Sequence, residues 1–130
     1  MIILTIRTDK PEAEIGLFED DVQLSYETWQ ANRELAETIH SKIHALLAAQ
    51  HKELGDLTGI IVFSGPGSFT GLRIGITVAN ALAFALGIAI TGATGDQWIE
   101  QGRNDLLAGK NRQSVVPDYG APVHITPPKH

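Results

Sequence analysis

The sequence has no cysteine, which excludes a fold that depends on disulfide bonds. It also lacks a run of about 18 consecutive apolar residues and a basic-then-apolar leader, so we expect neither a membrane span nor export. Its 10 basic residues are scattered, and 15 acidic residues leave a net charge of −5. A large nucleic-acid surface would need clustered basic side chains. These absences favour a cytoplasmic protein that binds neither a membrane nor nucleic acid on its own.

With 130 residues, of which 43% are hydrophobic, the chain is long enough for one domain with a modest core. Met1–Ile6 is nearly all apolar, which predicts a strand buried on both faces, central in a sheet. Ala13–Phe18 and Val22–Trp29 are predicted to be the next strands, with a turn at Glu19–Asp21. Two short connections between three strands indicate an antiparallel meander.

A first helix is predicted over Arg33–Leu54, with Asn32 as its N-cap and Gly55 as its stop. Its apolar positions recur at helical spacing: Leu35, Ile39, Ile43, Leu46, Leu47 and Leu54. His40 and His44 lie four residues apart, a spacing that can hold a metal ion. Because no carboxylate completes a metal motif, we predict no metal site.

A Gly-rich stretch, Ser64–Gly75, follows a predicted strand at Ile60–Phe63 and opens a helix over Gly71–Leu86. Ser68 or Thr70 can cap that helix. The loop lacks the Lys of a Walker motif and is one residue too long for the dinucleotide pattern. Converging N–H groups at a helix start can still bind an anion, so a structural turn and an anion site both remain open. The candidate anion-binding residues are Gly65, Gly67, Ser68, Thr70, Gly71 and Arg73.

The second helix is apolar or small around most of its circumference, apart from a narrow arc formed by Arg73, Thr77 and Asn80. Such a helix must be buried on more than one side. A stripe of small residues recurs every fourth position: Gly71, Gly75, Ala79, Ala83 and Gly87. Small residues let another backbone approach closely. From the pattern alone, the stripe fits the chain's own sheet and a protein partner equally well.

Beyond this helix, Gly87–Thr91 is predicted to be a strand parallel to Ile60–Phe63. Asp96–Leu107 is predicted to be a weaker helix, capped by Asp96 and interrupted by Gly102. Residues 109–114 are polar, and we expect them to be mobile. The tail that follows is rich in proline, which excludes a long helix, although Val123 and Ile125 alternate as in a strand.

The string Gly65-Pro66-Gly67-Ser68-Phe69-Thr70-Gly71-Leu72-Arg73-Ile74-Gly75 resembles the signature of the TsaB (YeaZ) family, with close similarity over residues 57–94. That family is the non-catalytic partner in bacterial synthesis of threonylcarbamoyladenosine (t6A) on tRNA. The resemblance implies an α/β fold: a single RNase-H-like, actin-like (ASKHA) lobe with a mixed five-stranded sheet and two main helices.

Two features depart from the family. Its members commonly read Asp-Thr-Ser after the first strand, where this chain has Arg7-Thr8-Asp9, and a guanidinium cannot hold Mg²⁺. They also carry a second lobe, for which this chain has only a short tail. We therefore divide the chain into a lobe, residues 1–107, and an extended Pro-rich tail, residues 108–130. An ATP site between two lobes is not expected.

The resemblance implies a scaffold that dimerises with a TsaD-like catalytic subunit and performs no chemistry itself. It favours the partner as the target of the small-residue stripe, because the family dimerises through this helix pair. The predicted partner-binding residues are Leu35, Ile39, Ile43, Leu46, Leu47, Leu72, Gly75, Ile76, Ala79, Leu82, Ala83 and Leu86.

Other partners and other functions remain open at this point. A TsaE-like ATPase and a self-dimer are further candidate partners, and tRNA would be reached only through the complex. No cofactor is expected in the chain, and ATP or ADP at a subunit junction is an open alternative. The competing functions are a nucleotide- or anion-binding protein that uses the loop Gly65–Gly71, and a homodimeric binding module.

Overall fold

The computed structural model describes residues 1–67 and 69–117, apart from the side chain of Phe69. A five-stranded mixed sheet has the order β3-β2-β1-β4-β5. Its strands are β1 (Ile2–Arg7), β2 (Glu12–Glu19), β3 (Val22–Gln30), β4 (Gly59–Phe63) and β5 (Ala89–Ala93). The helices are α1 (Leu35–Ala49), α2 (Phe69–Leu86) and α3 (Trp98–Leu107), with short 3-10 turns at Asn32–Glu34 and Leu54–Asp56.

The predicted fold class, an α/β lobe with a mixed five-stranded sheet, is confirmed. β1, β2 and β3 form the expected antiparallel meander, whereas β4 pairs in parallel with β1 and β5 in parallel with β4. β1 is the central strand, and Ile3, Leu4 and Ile6 are fully buried. A strand with neighbours on both edges and helices on both faces can be apolar throughout, which is why its sequence shows no alternation.

The helices lie on both faces of the sheet, in two different layers. Thr8 donates a hydrogen bond through Oγ1 to the Gly71 carbonyl oxygen (2.7 Å), which ties α2 to one face beyond the end of β1. Arg7 points to the opposite face, because successive strand residues alternate, and it lies over the ring of Phe63. Trp98 of α3 contacts the same ring edge-on, at 5.8 Å between centroids. α3 therefore covers the face opposite to α2.

Gly75, Ala79 and Ala83, the middle of the stripe of small residues, face the chain's own sheet, and a role of the stripe at a partner stays a prediction. Ala79 and Ala83 are buried, and a Cβ atom at Gly75 would collide with Thr8 Oγ1. The reason is spacing: without side chains along this line, the α2 backbone lies close against the strands. Among the described helices, none combines the length and the apolar character needed to cross a membrane.

Both ends of α1 differ from the sequence prediction. Asn32 adopts φ 47° ahead of the 3-10 turn, and the N-cap position belongs to Glu34, whose side chain makes no capping bond. The helix ends at Ala49, five residues early, because His51 takes a left-handed conformation and Lys52 N–H bonds the Leu47 carbonyl. This termination normally uses glycine, so the sequence offered Gly55 as a more obvious stop.

α3 is shorter and more regular than predicted. It begins at Trp98, and neither Asp96 nor its actual N-cap residue, Gln97, makes a side-chain capping bond. Gly102 does not interrupt it. Instead, Gly102 is buried against Ile61, where an added Cβ atom would collide with the isoleucine side chain. At the start of α2, Thr70 already lies inside the helix and so is not its cap, while Ser68 lies outside the described residues.

Residues 111–115 run along the free edge of β5, and we call them the β5 strap. Arg112 N–H donates to the Ile90 carbonyl (2.9 Å), and Ile90 N–H donates to Asn111 Oδ1 (3.1 Å). Asn80 of α2 holds Val115 by two bonds, Nδ2 to its carbonyl (2.9 Å) and its N–H to Oδ1 (2.8 Å). These bonds hold Asn111 and Arg112 to β5 and Val115 to α2, whereas the mobility predicted for residues 109–114 stays a prediction. The predicted strand at Val123 and Ile125 lies outside the described residues, as does most of the predicted tail.

Candidate functional site

The Gly-rich loop leaves β4 at the carboxyl edge of the sheet. Ser64 N–H donates to the Ala93 carbonyl oxygen (2.9 Å), which continues the pairing of β4 with β5. Gly65 then takes φ 124°, a conformation that favours glycine. Gly67 packs directly on Asp9, whose Cβ occupies the space that a Gly67 side chain would need. A carboxylate residue therefore lies behind the loop that was predicted to bind an anion.

Asp9 is neutralised by Arg7. Arg7 Nε and Nη2 donate to the two Asp9 carboxylate oxygens at 2.8 and 3.1 Å, and the guanidinium carbon lies 4.0 Å from the centroid of the Phe63 ring. The hydrogen bond to Asp9 is the largest cause that raises the pKa of Arg7. This fork gives each carboxylate oxygen of Asp9 a charged donor.

A second polar pair lies on the same face of the sheet. Tyr26 Oη donates to Glu14 Oε1 at 2.6 Å, and the Tyr26 ring lies over Gly16, whose missing Cβ makes room for it. Burial, followed by the hydrogen bond to Glu14, raises the pKa of Tyr26. Thr5 Oγ1 lies beneath this ring, buried and without a hydrogen-bond partner among the described residues.

The described candidate anion-binding residues do not all line the same cavity. Thr70 and Arg73 line a groove between α1 and α2, whereas Gly65 and Gly67 lie at the end of β4 beside Asp9. Gly71 offers its carbonyl oxygen to Thr8. Ser68 lies outside the described residues. Anion binding by this loop stays a prediction.

The outward face of α1 and α2 carries an exposed apolar surface. Ile74 and Val78 are half-buried along the groove, and Phe84, farther along α2, is 88% exposed. The groove encloses about 380 Å³ and continues into a second cavity of about 790 Å³ near Lys10 and Arg33. We call the following residues the helix-pair surface: Ala36, His40, Thr70, Arg73, Ile74, Thr77, Val78, Ala81 and Phe84.

Most of the predicted partner-binding residues lie elsewhere. Ten of the twelve are buried in the chain's own core, because they form the faces of α1 and α2 that pack on the sheet: Leu35, Ile39, Ile43, Leu46, Leu47, Leu72, Gly75, Ile76, Ala79 and Ala83. Leu82 and Leu86 remain partly exposed. Partner binding by these two helices stays a prediction, and the residues able to make direct contact are those of the helix-pair surface together with Leu82 and Leu86.

His40 and His44 are both exposed on α1. Within residues 1–67 and 69–117, His, Cys, Asp and Glu side chains form no group of three or more that suits a metal ion.

The sequence analysis assigned no functional or structural role to Phe84 or Asn80. The signal for Phe84 was available, because it lies seven residues after Thr77 and so shares the polar arc of α2. Nothing in the sequence indicated that Asn80 would bind residues 35 positions later.

Comparisons with known proteins identify relatives of this chain. The family model described as TsaD, tRNA N6-adenosine threonylcarbamoyltransferase, matches residues 29–94. The chain is 38% identical over 92 residues to the tRNA threonylcarbamoyladenosine biosynthesis protein TsaB of Bacillus subtilis, covering 70% of this chain and 40% of the relative.

Solved structures show the same relationship. YeaZ from Pseudomonas aeruginosa superposes with a TM-score of 0.68 at 26% identity, over 78% of this chain and 50% of that chain. RuvC of Thermus thermophilus, solved with a Holliday junction substrate, superposes with a TM-score of 0.52 at 12% identity over 92% and 85% of the two chains, a likeness of fold alone. The chain thus spans half or less of the length of the TsaB and YeaZ proteins it matches.

Proposed function

Since the chain belongs to the TsaD family of tRNA N6-adenosine threonylcarbamoyltransferases and is a TsaB (YeaZ) member of it over partial length, we propose that it acts in t6A modification of tRNA as a non-catalytic scaffold. In this role it dimerises with a TsaD-like catalytic subunit through the helix-pair surface. A TsaE-like ATPase and tRNA would join through that complex.

The exposure of Phe84 is the observation that carries this proposal. At 88% exposure its ring packs on almost nothing in the chain, although burying a phenylalanine is worth about 1.5–3 kcal/mol. Aromatic residues in the middle of a contact are typical anchors of protein interfaces. Thr77, Ala81 and Phe84 follow the i, i+4, i+7 spacing, so the ring projects from the same line of α2 that borders the groove.

The shape and charge of the groove add to this support. Ala36 and His40 of α1 face Ile74 and Val78 of α2 across it, leaving a shallow apolar channel of the kind that accepts a helix. Lys10, Arg33 and Glu34 line its wider end, which leaves one net positive charge there. A partner with apolar side chains along one helix and carboxylates near its end would complement both parts.

The carboxyl edge of the sheet supports a non-catalytic role. Asp9, which departs from the family position by two residues, is bound to Arg7 through both oxygens. A carboxylate held in such an ion pair is a weaker candidate for a general base or a cation ligand than an unpaired one. A nucleotide at the junction with a partner stays an alternative that this ion pair does not address.

The test is a mass measurement by multi-angle light scattering, on the chain alone and mixed with the TsaD-type protein of the same organism. We expect a stable mixed complex that displaces any self-dimer. Phe84→Asp should weaken that complex by about 30-fold or more, the effect of losing an anchor worth about 2 kcal/mol. Because the ring is exposed, the variant should fold as the wild type does.

Val22→Asp is the matched control. Val22 is also an exposed apolar residue, at 58%, but it begins β3, outside the helix-pair surface. This variant should bind the TsaD-type protein as tightly as the wild type. A chain that ignores the TsaD-type protein would overturn the scaffold proposal. A self-dimer disrupted by Phe84→Asp, without any mixed complex, would favour the homodimeric module instead.

A further inference from the structure

The β5 strap closes a cavity at the carboxyl edge of β4 and β5, away from the helix-pair surface. The cavity encloses about 360 Å³. One wall is formed by the ends of β4 and β5, another by Gln101 of α3, and the third by Arg112, Ser114 and Val115 of the strap. Because the strap is bonded to Ile90 and to Asn80, this third wall is held to β5 and to α2.

Several hydrogen-bond donors meet in this cavity. The Gln101 Oε1 atom accepts from Thr94 N–H at 3.4 Å, which leaves the Gln101 amide nitrogen as a donor. Thr94 and Ser114 add hydroxyl groups, and Arg112 adds a guanidinium. The backbone of β5 adds one more donor. Ile90 turns its N–H and carbonyl outward to the strap, so Gly92, two residues later, turns its N–H to the same edge.

No carboxylate opposes these donors. The described residues that line the cavity include neither Asp nor Glu. Within residues 1–67 and 69–117, no carboxylate forms an ion pair with Arg112. Asp105 of α3 lies beside Thr91, which belongs to β5. The Asp105 carboxylate is paired with Lys110 instead of Arg112. The cavity is therefore positively charged and rich in donors, the opposite of the Gly-rich loop, where Asp9 lies behind Gly67.

We propose that this cavity binds the oxyanion group of a small ligand, a phosphate or a carboxylate, between Arg112, Gln101 and the Gly92 amide. Arg112 supplies the charge and a planar pair of donors that matches either group. Gln101 and Gly92 supply neutral donors from the two other walls. The site is independent of partner binding, because it shares no residue with the helix-pair surface.

The experiment is a titration of the full ¹⁵N-labelled chain with inorganic phosphate and, separately, with acetate, at constant ionic strength. We expect saturable shifts of the amide signals of Gly92, Thr94 and Ser114 and of Arg112 Nε. Arg112→Gln should weaken binding about tenfold or more, because a charged hydrogen bond is lost. The strap should stay bound in this variant, since its bonds to Ile90 and Asn80 come from other groups. An unchanged Val115 amide signal checks this.

Arg33→Gln is the matched control, because it removes one positive charge from an exposed arginine that does not line this cavity. It should leave the affinity unchanged. Tighter binding of phosphate or of acetate then identifies which of the two groups the site prefers. The proposal fails if the shifts do not saturate, if both variants lose the same affinity, or if the shifts centre on Gly65–Gly71 instead.

Discussion

Replacing Gly75 with alanine tests how closely α2 lies against the sheet. In an exposed helix this change stabilises the protein by about 1 kcal/mol, because alanine is the better helix former. At Gly75 the new methyl group would collide with Thr8 Oγ1 and crowd the rest of that side chain. Overpacking of this kind costs about 1–3 kcal/mol. Displacing Thr8 also breaks its bond to the Gly71 carbonyl, worth about 1 kcal/mol.

These contributions leave a net loss of about 1–3 kcal/mol in the free energy of unfolding. Urea unfolding, followed by circular dichroism and by tryptophan fluorescence, measures it. Gly55→Ala is the matched control: nothing lies within 4 Å of a Cβ atom there, so we expect a change of less than about 0.5 kcal/mol. Thr8→Ala removes the colliding oxygen, so the added cost of Gly75→Ala should shrink in that background.

A Gly75→Ala protein at least as stable as the wild type would refute this reasoning. The small-residue stripe would then not lie against the sheet, and its assignment to a partner would gain support. The double variant, Thr8→Ala with Gly75→Ala, tests whether the contact with Thr8 causes the loss of stability. If Thr8→Ala does not reduce the cost, the loss of stability has some cause other than the contact between these two side chains.

Two further predictions concern polar contacts. Asn80→Ala removes both bonds that hold Val115, so trypsin should cleave after Arg112 about tenfold faster. Thr77→Ala, on the same helix, should not change the cleavage rate. Equal cleavage of both variants would show that the strap is held by other contacts. Tyr26 has a raised pKa in the folded state, so its contribution to stability is complete below the unfolded pKa of about 10 and is lost as the pH rises above it. Tyr26→Phe should therefore lose less stability than the wild type between pH 9 and 11 in urea titrations, and identical losses would contradict a buried, hydrogen-bonded phenol.

Local sequence patterns were sufficient for the elements of this fold. β1 is apolar along its whole length, and only a central strand buries both faces, so its place in the sheet followed from its composition. The short turn between β2 and β3 predicted an antiparallel pair. The Gly-rich string between β4 and α2 identified the family, because a residue-by-residue match over this string is more specific than a pattern of apolar spacing.

The spacing of apolar residues shows that a helix face is buried, but not whether it packs on the chain's own sheet or on a partner protein. This explains why the predicted partner-binding residues lie mostly in the core. Leu35, Ile39 and Ala79 have the spacing of a buried face, and a sheet and a partner bury such a face equally well. The structure assigns these residues to the sheet and leaves Phe84 outside. The stop of α1 was misplaced for a similar reason, since His51 takes a conformation for which glycine is the usual signal.

The sequence by itself determined the β1–β2–β3 meander, the helix that follows the Gly-rich loop and the family, because each rests on patterns within a short stretch of chain. Only the tertiary structure decided that Arg7 neutralises Asp9, that Asn80 holds Val115, and that Arg112 reaches a cavity beside Gln101. Two of these pairings join residues from different elements of the fold, and the third depends on the path of the chain just after β1 ends at Arg7. Contacts of this kind depend on how the elements pack together, and local patterns in the sequence do not determine that packing.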